Sequence, residues 1–263
     1  MVSNQLHRLT PNLLSQTRRI LVAGDLHGDH QSLQRIKALF QAEQDLLLFL
    51  GDYADRGPKG VEVIQGVNKL ITEHPSRIIA LKGNHEDYGP EGRPRFMPCT
   101  LRLEAQEKTG GWETYFHNQL APFLEKLRLA ALIPGEVLFL HGGISIRLTS
   151  LQDLESPSRE VEEDLLWSDP SSGRGERPNR RGVGVEFGED ITKEVCHRLN
   201  VKRIVRGHEP RKARNRPHLQ HQGRIVTINS TRVYGGTPFI LDLPPDDLTR
   251  AFQHLGEHTQ SLN

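Results

Sequence analysis

Five short apolar runs, each stopping at a glycine-bounded cluster of Asp, Asn and His, constrain this chain more than any other feature. Residues 20–23 run into GDLHGD, 46–50 into GDYADRG and 78–81 into KGNHE. Residues 137–140 run into HGG, and 204–205 into RGHE. Runs this short and branched, bounded by glycine, read as buried strands. Amphipathic stripes fall between them. Leu33, Ile36 and Phe40 share one helix face, and Val61, Ile64 and Leu70 with Ile71 share another. Phe116, Leu120, Leu124 and Leu127 form a third stripe, which Pro122 interrupts and restarts. Ile191, Val195 and Leu199 make a fourth, with Lys193, His197 and Arg198 facing away.

The first three clusters lie roughly 30 residues apart, the length of a βαβ unit. Strand–helix alternation predicts an α/β fold with a largely parallel sheet, and sites in such sheets gather beyond the strands' carboxyl ends. Five loops should therefore meet at one place. Residues 224–228 and 238–243 read as further strands without helices between them, which predicts a mixed or antiparallel second sheet. The stretch 152–182, rich in Ser, Pro, Gly, Arg and Glu, is expected to be a long surface loop. With no internal repeat and no clear linker, residues 1–263 are expected to form one domain, its motif-bearing core spanning about 18–243.

The clusters collect Asp25, His27, Asp52, Asn84, His141 and His208. Carboxylate, imidazole and amide oxygen together suit divalent ions such as manganese, iron, zinc or cobalt. They are too many for one ion, and Asp52 is the natural bridge between two. Two ions about 3.5–4 Å apart can clamp a phosphoryl group and activate a water. Arg56 offers a guanidinium fork to phosphate oxygens. His85 is a candidate acid for the leaving alkoxide, with Asp55 placed to orient it. Taken singly, GDLHG or HGG could be an ordinary turn. In order, each after an apolar run, the five leave the turn explanation without force.

Composition excludes several classes. The formal net charge is +1, so no global field steers the chain to nucleic acid or a membrane. Mean hydropathy is −0.54, and no apolar run reaches the roughly 20 residues a membrane helix needs. The N-terminal stretch lacks the apolar block of a secretory signal, so the expected location is the cytoplasm. Cys99 and Cys196 make no disulfide framework. Of thirteen histidines, four stand in the clusters; the other nine are expected to be solvated or packed.

These motifs resemble those of the calcineurin-like metallophosphoesterases, in particular the phosphoprotein phosphatase branch. That branch carries GDxHG, GDxVDRG, GNHE, HGG and RGH in this order. Here they stand at residues 24–28, 51–57, 83–86, 141–143 and 206–208, with further matches at LWSDP (166–170) and RGVGVEFG (181–188). The resemblance implies a β-sandwich core of two mixed sheets flanked by helices, a four-layer αββα arrangement. It implies that Asp25, His27 and Asp52 hold a first metal, and Asp52, Asn84, His141 and His208 a second. Manganese and iron are the expected ions, with zinc, cobalt or nickel as alternatives. It also makes His85 the acid with Asp55 as its partner. Arg56 and Arg181 become the phosphate-binding arginines, with Asn84 and His85 beside the substrate. Pro210 stands where many phosphodiesterases of the superfamily carry a further histidine ligand. Asp55 stands where bacterial symmetrical diadenosine tetraphosphatases carry alanine. The SAPNY segment of eukaryotic members meets a poor match at residues 228–231, and Tyr234 is left unassigned. The chain looks like a stand-alone prokaryotic form.

The implied activity is dinuclear metal-dependent phosphomonoester hydrolysis, on phosphoserine or phosphothreonine in proteins, with phosphotyrosine as an extension. A hydrolase of dinucleoside polyphosphates such as diadenosine tetraphosphate, or of another phosphorylated small molecule, is the alternative. Residues 88–112 and 170–182 are expected to discriminate between them. Arg174, Arg177, Arg180 and Arg181, and then Arg211, Lys212, Arg214 and Arg216, could reach extra phosphates or be simply solvated. Nucleic acid is not an expected partner, because these clusters are short and lack interleaved aromatics. A degenerate binding module is disfavoured because every expected ligand position is filled. Oligomeric state is not legible.

Overall fold

Side-chain alternation along the strands sets the layering of this chain. The computed structural model describes residues 4–263. Its strands are β1 (Leu6–Arg8), β2 (Arg19–Ala23), β3 (Asp45–Phe49), β4 (Ile78–Ala80), β5 (Ala130–Ile133), β6 (Val137–Leu140) and β7 (Asp169–Pro170). They continue as β8 (Glu176–Pro178), β9 (Val185–Phe187), β10 (Arg203–Arg206), β11 (His218–Gln220), β12 (Ile225–Thr227), β13 (Phe239–Leu243) and β14 (Thr259–Ser261). Helices α1 (Pro11–Ser15), α2 (His30–Leu39), α3 (Gly60–Glu73), α4 (Leu101–Lys108) and α5 (Trp112–Tyr115) precede α6 (Ala121–Leu124). Then come α7 (Gln152–Glu155), α8 (Arg159–Trp167), α9 (Glu189–Arg198) and α10 (Leu248–Gln253).

One sheet runs β14-β13-β2-β3-β4 and a second runs β1-β5-β6-β10-β12-β11. Ile20, Val22, Leu46 and Leu48 point between the sheets, against Ala131, Val137, Phe139, Val205 and Val226. Their neighbours Leu21, Ala23, Leu47 and Phe49 point the other way, onto the apolar faces of α2 and α3. On the second sheet, Leu138 and Leu140 likewise turn outward, onto Leu154, Val161, Leu165 and Val195. The period of two in each strand thus yields helix, sheet, sheet, helix.

β2, β3 and β4 are parallel neighbours, as are β6 with β10 and β10 with β12. The two late strands do not make a sheet of their own. β12 extends the second sheet, while β13 pairs antiparallel with β2 in the first. The sheets' carboxyl ends are tied directly: Asp25 bridges Asn229, and the Gly24 amide donates to Ser230 Oγ at 2.9 Å.

One expectation needs correction. Residues 152–182 are not a long loop; they hold α7, α8, β7 and β8. Ser158 caps α8 by accepting from the Val161 amide, and Val161, Leu165 and Leu166 are buried. Polar composition concealed an amphipathic helix of nine residues. Near Pro122 the chain widens into a π-helical turn over Phe116–Leu120, and Pro122 sits in the first turn of α6. Among the described residues, no helix is long and apolar enough to cross a membrane.

Candidate active site

The loops after β2, β3, β4, β6 and β10 bring all six expected donors into one buried cluster. Asp25, His27, Asp52, Asn84, His141 and His208 are each at most 5% exposed. On one side His27 Nε2 lies 3.3 Å from Asp52 Oδ2 and 3.7 Å from Asp25 Oδ2. On the other, His141 Nε2 lies 3.4 Å from Asp52 Oδ1, 3.0 Å from Asn84 Oδ1 and 3.2 Å from His208 Nδ1. Asn84 Oδ1 and His208 Nδ1 are 2.8 Å apart. Asp52 therefore faces both groups, one oxygen to each.

The backbone is bent to achieve this. His27, Asp52, Asp55, Arg56 and His208 all take positive φ, between 46° and 69°. For residues with a Cβ this conformation is costly and persists only where surroundings enforce it. Two glycines permit the close approach: a Cβ on Gly83 would collide with Asp52 Oδ1, and one on Gly207 with Asp25 Oδ1. Glu86, in the third loop, ties it to the second, accepting from the amides of Asp52 and Tyr53 as well as that of Gly83.

Whether these residues fit divalent ions can be tested on their lone pairs. His27 Nδ1 contacts the Ala54 carbonyl and His141 Nδ1 the Leu50 carbonyl, both at 3.0 Å. A carbonyl only accepts, so Nδ1–H is the donor and each Nε2 keeps its lone pair. Burial first, then neighbouring His85 for His27 and Arg206 for His141, push both imidazoles well below their ordinary pKa, so they are neutral. Burial and then Arg181 do the same to His208. His141 Nε2 thus points a lone pair at Asn84 Oδ1, which is also an acceptor. Asp25 Oδ2 is buried without a hydrogen-bond partner. Burial pushes Asp25 up to about 7, and burial with the Asp25 charge pushes Asp52 well above the carboxylate range. Acceptors facing acceptors, beside carboxylates short of positive charge, are what a cation resolves. The donors fit two ions sharing Asp52.

Beside the cluster, His85 Nδ1 is 2.8 Å from Asp55 Oδ2 and the His85 amide donates to Asp52 Oδ1 at 3.0 Å. Burial lowers the His85 pKa, and the Asp55 hydrogen bond opposes that. The Nδ1 contact leaves Nε2 for the cleft. His85 also groups with His27 and Asp52 within metal-ligand reach. Its clamp on Asp55 is the geometric reason to read it as an acid.

A cleft of about 460 Å³ opens over the cluster, lined by Arg56, Arg95, Phe96, Trp167, Arg181 and Tyr234 among others. Both expected arginines are present. Arg181 is aimed by Asp169, whose Oδ2 accepts from its Nε at 2.8 Å, while Asp169 Oδ1 accepts from fully buried Arg206 at 2.9 Å. Rings wall the cleft: Phe96 lies 4.6 Å from His85, Tyr234 5.5 Å from His27 and Trp167 5.9 Å from His208. Both segments expected to surround the pocket contribute to it. The charged run at 174–180 faces elsewhere: Arg177 and Arg180 pair with Glu186, and Arg174 with Asp190.

Sequence reasoning missed the roles of Glu86, Asp169, Arg206, Phe96 and Tyr234. For Tyr234 a signal existed. Counted from Ser230, the chain reads S-T-R-V-Y, which has the S-x-x-x-Y spacing of SAPNY; beginning the comparison at Ile228 put it out of phase. Arg211 caps the outer face of the Tyr234 ring at 5.5 Å.

Comparison with known proteins agrees with this geometry. The model of the calcineurin-like phosphoesterase family matches residues 18–212. A serine/threonine-protein phosphatase of Caenorhabditis elegans is 34% identical over 72% of this chain and 42% of its own length. Serine/threonine-protein phosphatase 5 of Homo sapiens is 32% identical over 89% of this chain and 47% of its own. The chain thus spans less than half the length of these two relatives. Among solved structures, a serine/threonine phosphatase of Saccharomyces cerevisiae superposes with a TM-score of 0.74 at 27% identity, over 93% of this chain and 78% of that one.

Proposed function

The chain belongs to the calcineurin-like phosphoesterases, and from that premise we propose that it is a dinuclear metal-dependent phosphomonoesterase acting on phosphoserine and phosphothreonine in proteins. The observation that carries the reading is Asp52, buried between two groups of lone-pair donors with Arg56 and Arg181 at the mouth of the same cleft. Two of the named relatives, whose own names make them protein phosphatases, match 72% and 89% of this chain.

Asp25, His27 and Asp52 would hold one ion, and Asp52, Asn84, His141 and His208 the other; manganese and iron fit this donor set, as do zinc, cobalt and nickel. Bound there, the ions supply positive charge to the phosphoryl oxygens and lower the pKa of water at phosphorus. The chain's own groups do the rest. Arg56 and Arg181 grip the remaining phosphate oxygens, and Asp169 keeps Arg181 turned toward them. Asn84 and His85 flank the phosphate from the third loop. His85 would act as imidazolium, the state the Asp55 hydrogen bond and charge favour. It keeps Nδ1–H on Asp55 and gives its Nε2 proton to the departing serine or threonine oxygen, which leaves it a neutral imidazole. Phe96, Trp167 and Tyr234 exclude water around the transfer and give the peptide apolar walls. The residues that do this belong to a single metallophosphoesterase domain.

The test is a set of initial rates with Mn²⁺ on phosphoserine, phosphothreonine and phosphotyrosine peptides and on diadenosine tetraphosphate. The reading requires the phosphopeptides to win by kcat/KM and Asp52→Asn to be inactive. Preference for the dinucleotide would keep the centre and overturn the substrate.

A further inference from the structure

A second cleft, of about 570 Å³, lies at the opposite end of β10 from His208 and shares no residue with the catalytic one. Its lining includes Lys193 and His197 from the polar face of α9, Lys202 and Arg203 at the start of β10, and Arg224 at the start of β12. No Asp or Glu lines it. The nearest acids are spoken for by the lysines: Lys193 pairs with Glu189 at 2.6 Å, and Lys202 pairs with Glu136. That leaves Arg203 and Arg224. Neither makes an ion pair among the described residues, and both are only partly exposed. Arg203 lies over the Phe252 ring, 5.0 Å from its centroid, which fixes the guanidinium at the cleft wall. Burial, partly offset by Glu136 and reinforced by the Arg224 charge, pulls the Arg203 pKa below its ordinary value. Two like charges held half-buried and side by side, without an ion pair of their own and only partly offset by Glu136 and Glu189, are an unfavourable arrangement in the free chain. A multiply charged anion entering between them reverses its sign, and two guanidinium forks suit phosphate oxygens better than they suit water.

We infer that the cleft framed by Arg203 and Arg224 is a binding site for a small phosphate-bearing polyanion, separate from the catalytic centre. Arg203 and Arg224 make the charge-assisted contacts, while Lys193 and Lys202, already paired with acids, frame the rim, where exposed Thr249 lies beside Lys202.

The probe is inorganic tripolyphosphate, titrated calorimetrically into metal-loaded protein dialysed free of excess ions. An Arg56→Ala/Arg181→Ala background removes the guanidinia of the catalytic cleft. Because the ions of the metal-loaded centre attract phosphate even without those guanidinia, the expected result in that background is one further site per chain, weakened about tenfold or more by adding Arg203→Ala and Arg224→Ala. Arg203→Lys/Arg224→Lys should retain part of the affinity, and Arg203→Ala/Arg224→Ala in otherwise native protein should leave kcat/KM unchanged. Should the double alanine variant melt early, Arg224→Glu alone replaces it, since that side chain has no hydrogen bond or ion pair among the described residues to lose. A further site beyond the metal centre that is absent from the background protein, or that survives loss of both arginines, overturns the inference.

Discussion

Asp52 and Asp87 are both buried carboxylates, 2% and 1% exposed, yet their surroundings are opposites. Around Asp87 the chain has gathered cations: Arg159 at 2.6 Å, Arg95 at 3.4 Å and Lys82 at 3.6 Å. Burial raises its pKa, but Arg159 and then Lys82 overcome that, and the net shift is downward. Around Asp52 the chain has gathered further acceptors, and burial with the charges of Asp25 and Glu86 drives its pKa well up. One carboxylate is complete within the chain. The other is arranged to be completed from outside, and that contrast separates a structural charge from a ligand when both are equally buried.

The sharpest way to break the contrast is to neutralise Asp52. Asp52→Asn should cut kcat/KM by about a thousandfold or more and lower the bound metal per chain, read by elemental analysis. Near-normal rate with both ions retained would remove Asp52 from the bridge.

His85 comes next, because it stands between the two kinds of environment. It touches the centre through its amide on Asp52, yet its ring is held by Asp55. His85→Asn should lower kcat by about 10²–10⁴-fold, with metal content unchanged. Loss of an ion on that substitution would instead move His85 into the ligand set with His27 and Asp52.

The third effect is on stability without metal. Asp25 is raised to about 7 from an ordinary 3.8, so folded, metal-free protein holds a proton that the unfolded chain has lost between those values. The Asp25 contribution, read as the stability difference between wild type and Asp25→Asn, should fall as pH rises through that window. The neutral buried His27, His141 and His208 add stability with rising pH below their ordinary 6.5, which is why the difference is the quantity to read. Saturating Mn²⁺ should abolish the slope of that difference. Occupation at a thousand times the dissociation constant adds about 4 kcal/mol for each ion. Melting temperatures from pH 5 to 8, with Asp25→Asn as control, measure this. A metal-free wild type that gains stability relative to Asp25→Asn as pH rises over that range refutes the account.

The contrast is only half legible in the sequence. Every donor of the centre follows an apolar run directly, so the local pattern of strand, glycine and polar residue is enough to mark Asp25, Asp52 and Asn84. The same locality marks the strands and the helices between the first three motifs. The nearest cation to Asp87, Arg159, comes from 72 residues away, on a helix that composition disguised as loop. Arg159–Trp167 carries its inward residues at Val161 and Leu165, an i, i+4 pair too short to stand out among Glu and Asp. Glu86, Asp169 and Arg206 were hidden for a related reason. Their work is to hold other residues, and that work depends on neighbours brought together only by the meeting of the two sheets. Tyr234 was the exception, legible once the spacing is counted from Ser230.

Asp87→Asn is the smallest of the expected effects and the cleanest control on the comparison. Asn keeps the shape and one acceptor oxygen but removes the charge that Arg159, Lys82 and Arg95 surround. Arg159 is 35% exposed, so water takes up part of what it loses. The cost should be about 1–3 kcal/mol, read from urea unfolding at pH 7. Because the folded pKa is depressed, that contribution is present above the ordinary 3.8 and disappears as pH falls through the folded value, so wild type and variant should converge in acid. Metal content should be untouched and kcat/KM should stay within about twofold, since among the described residues the Asp87 side chain touches a cleft residue only through its weak 3.4 Å contact with Arg95. A variant as stable as wild type would mean that the three cations are satisfied without the charge. A variant that lost metal would mean that Asp87 belongs to the centre after all.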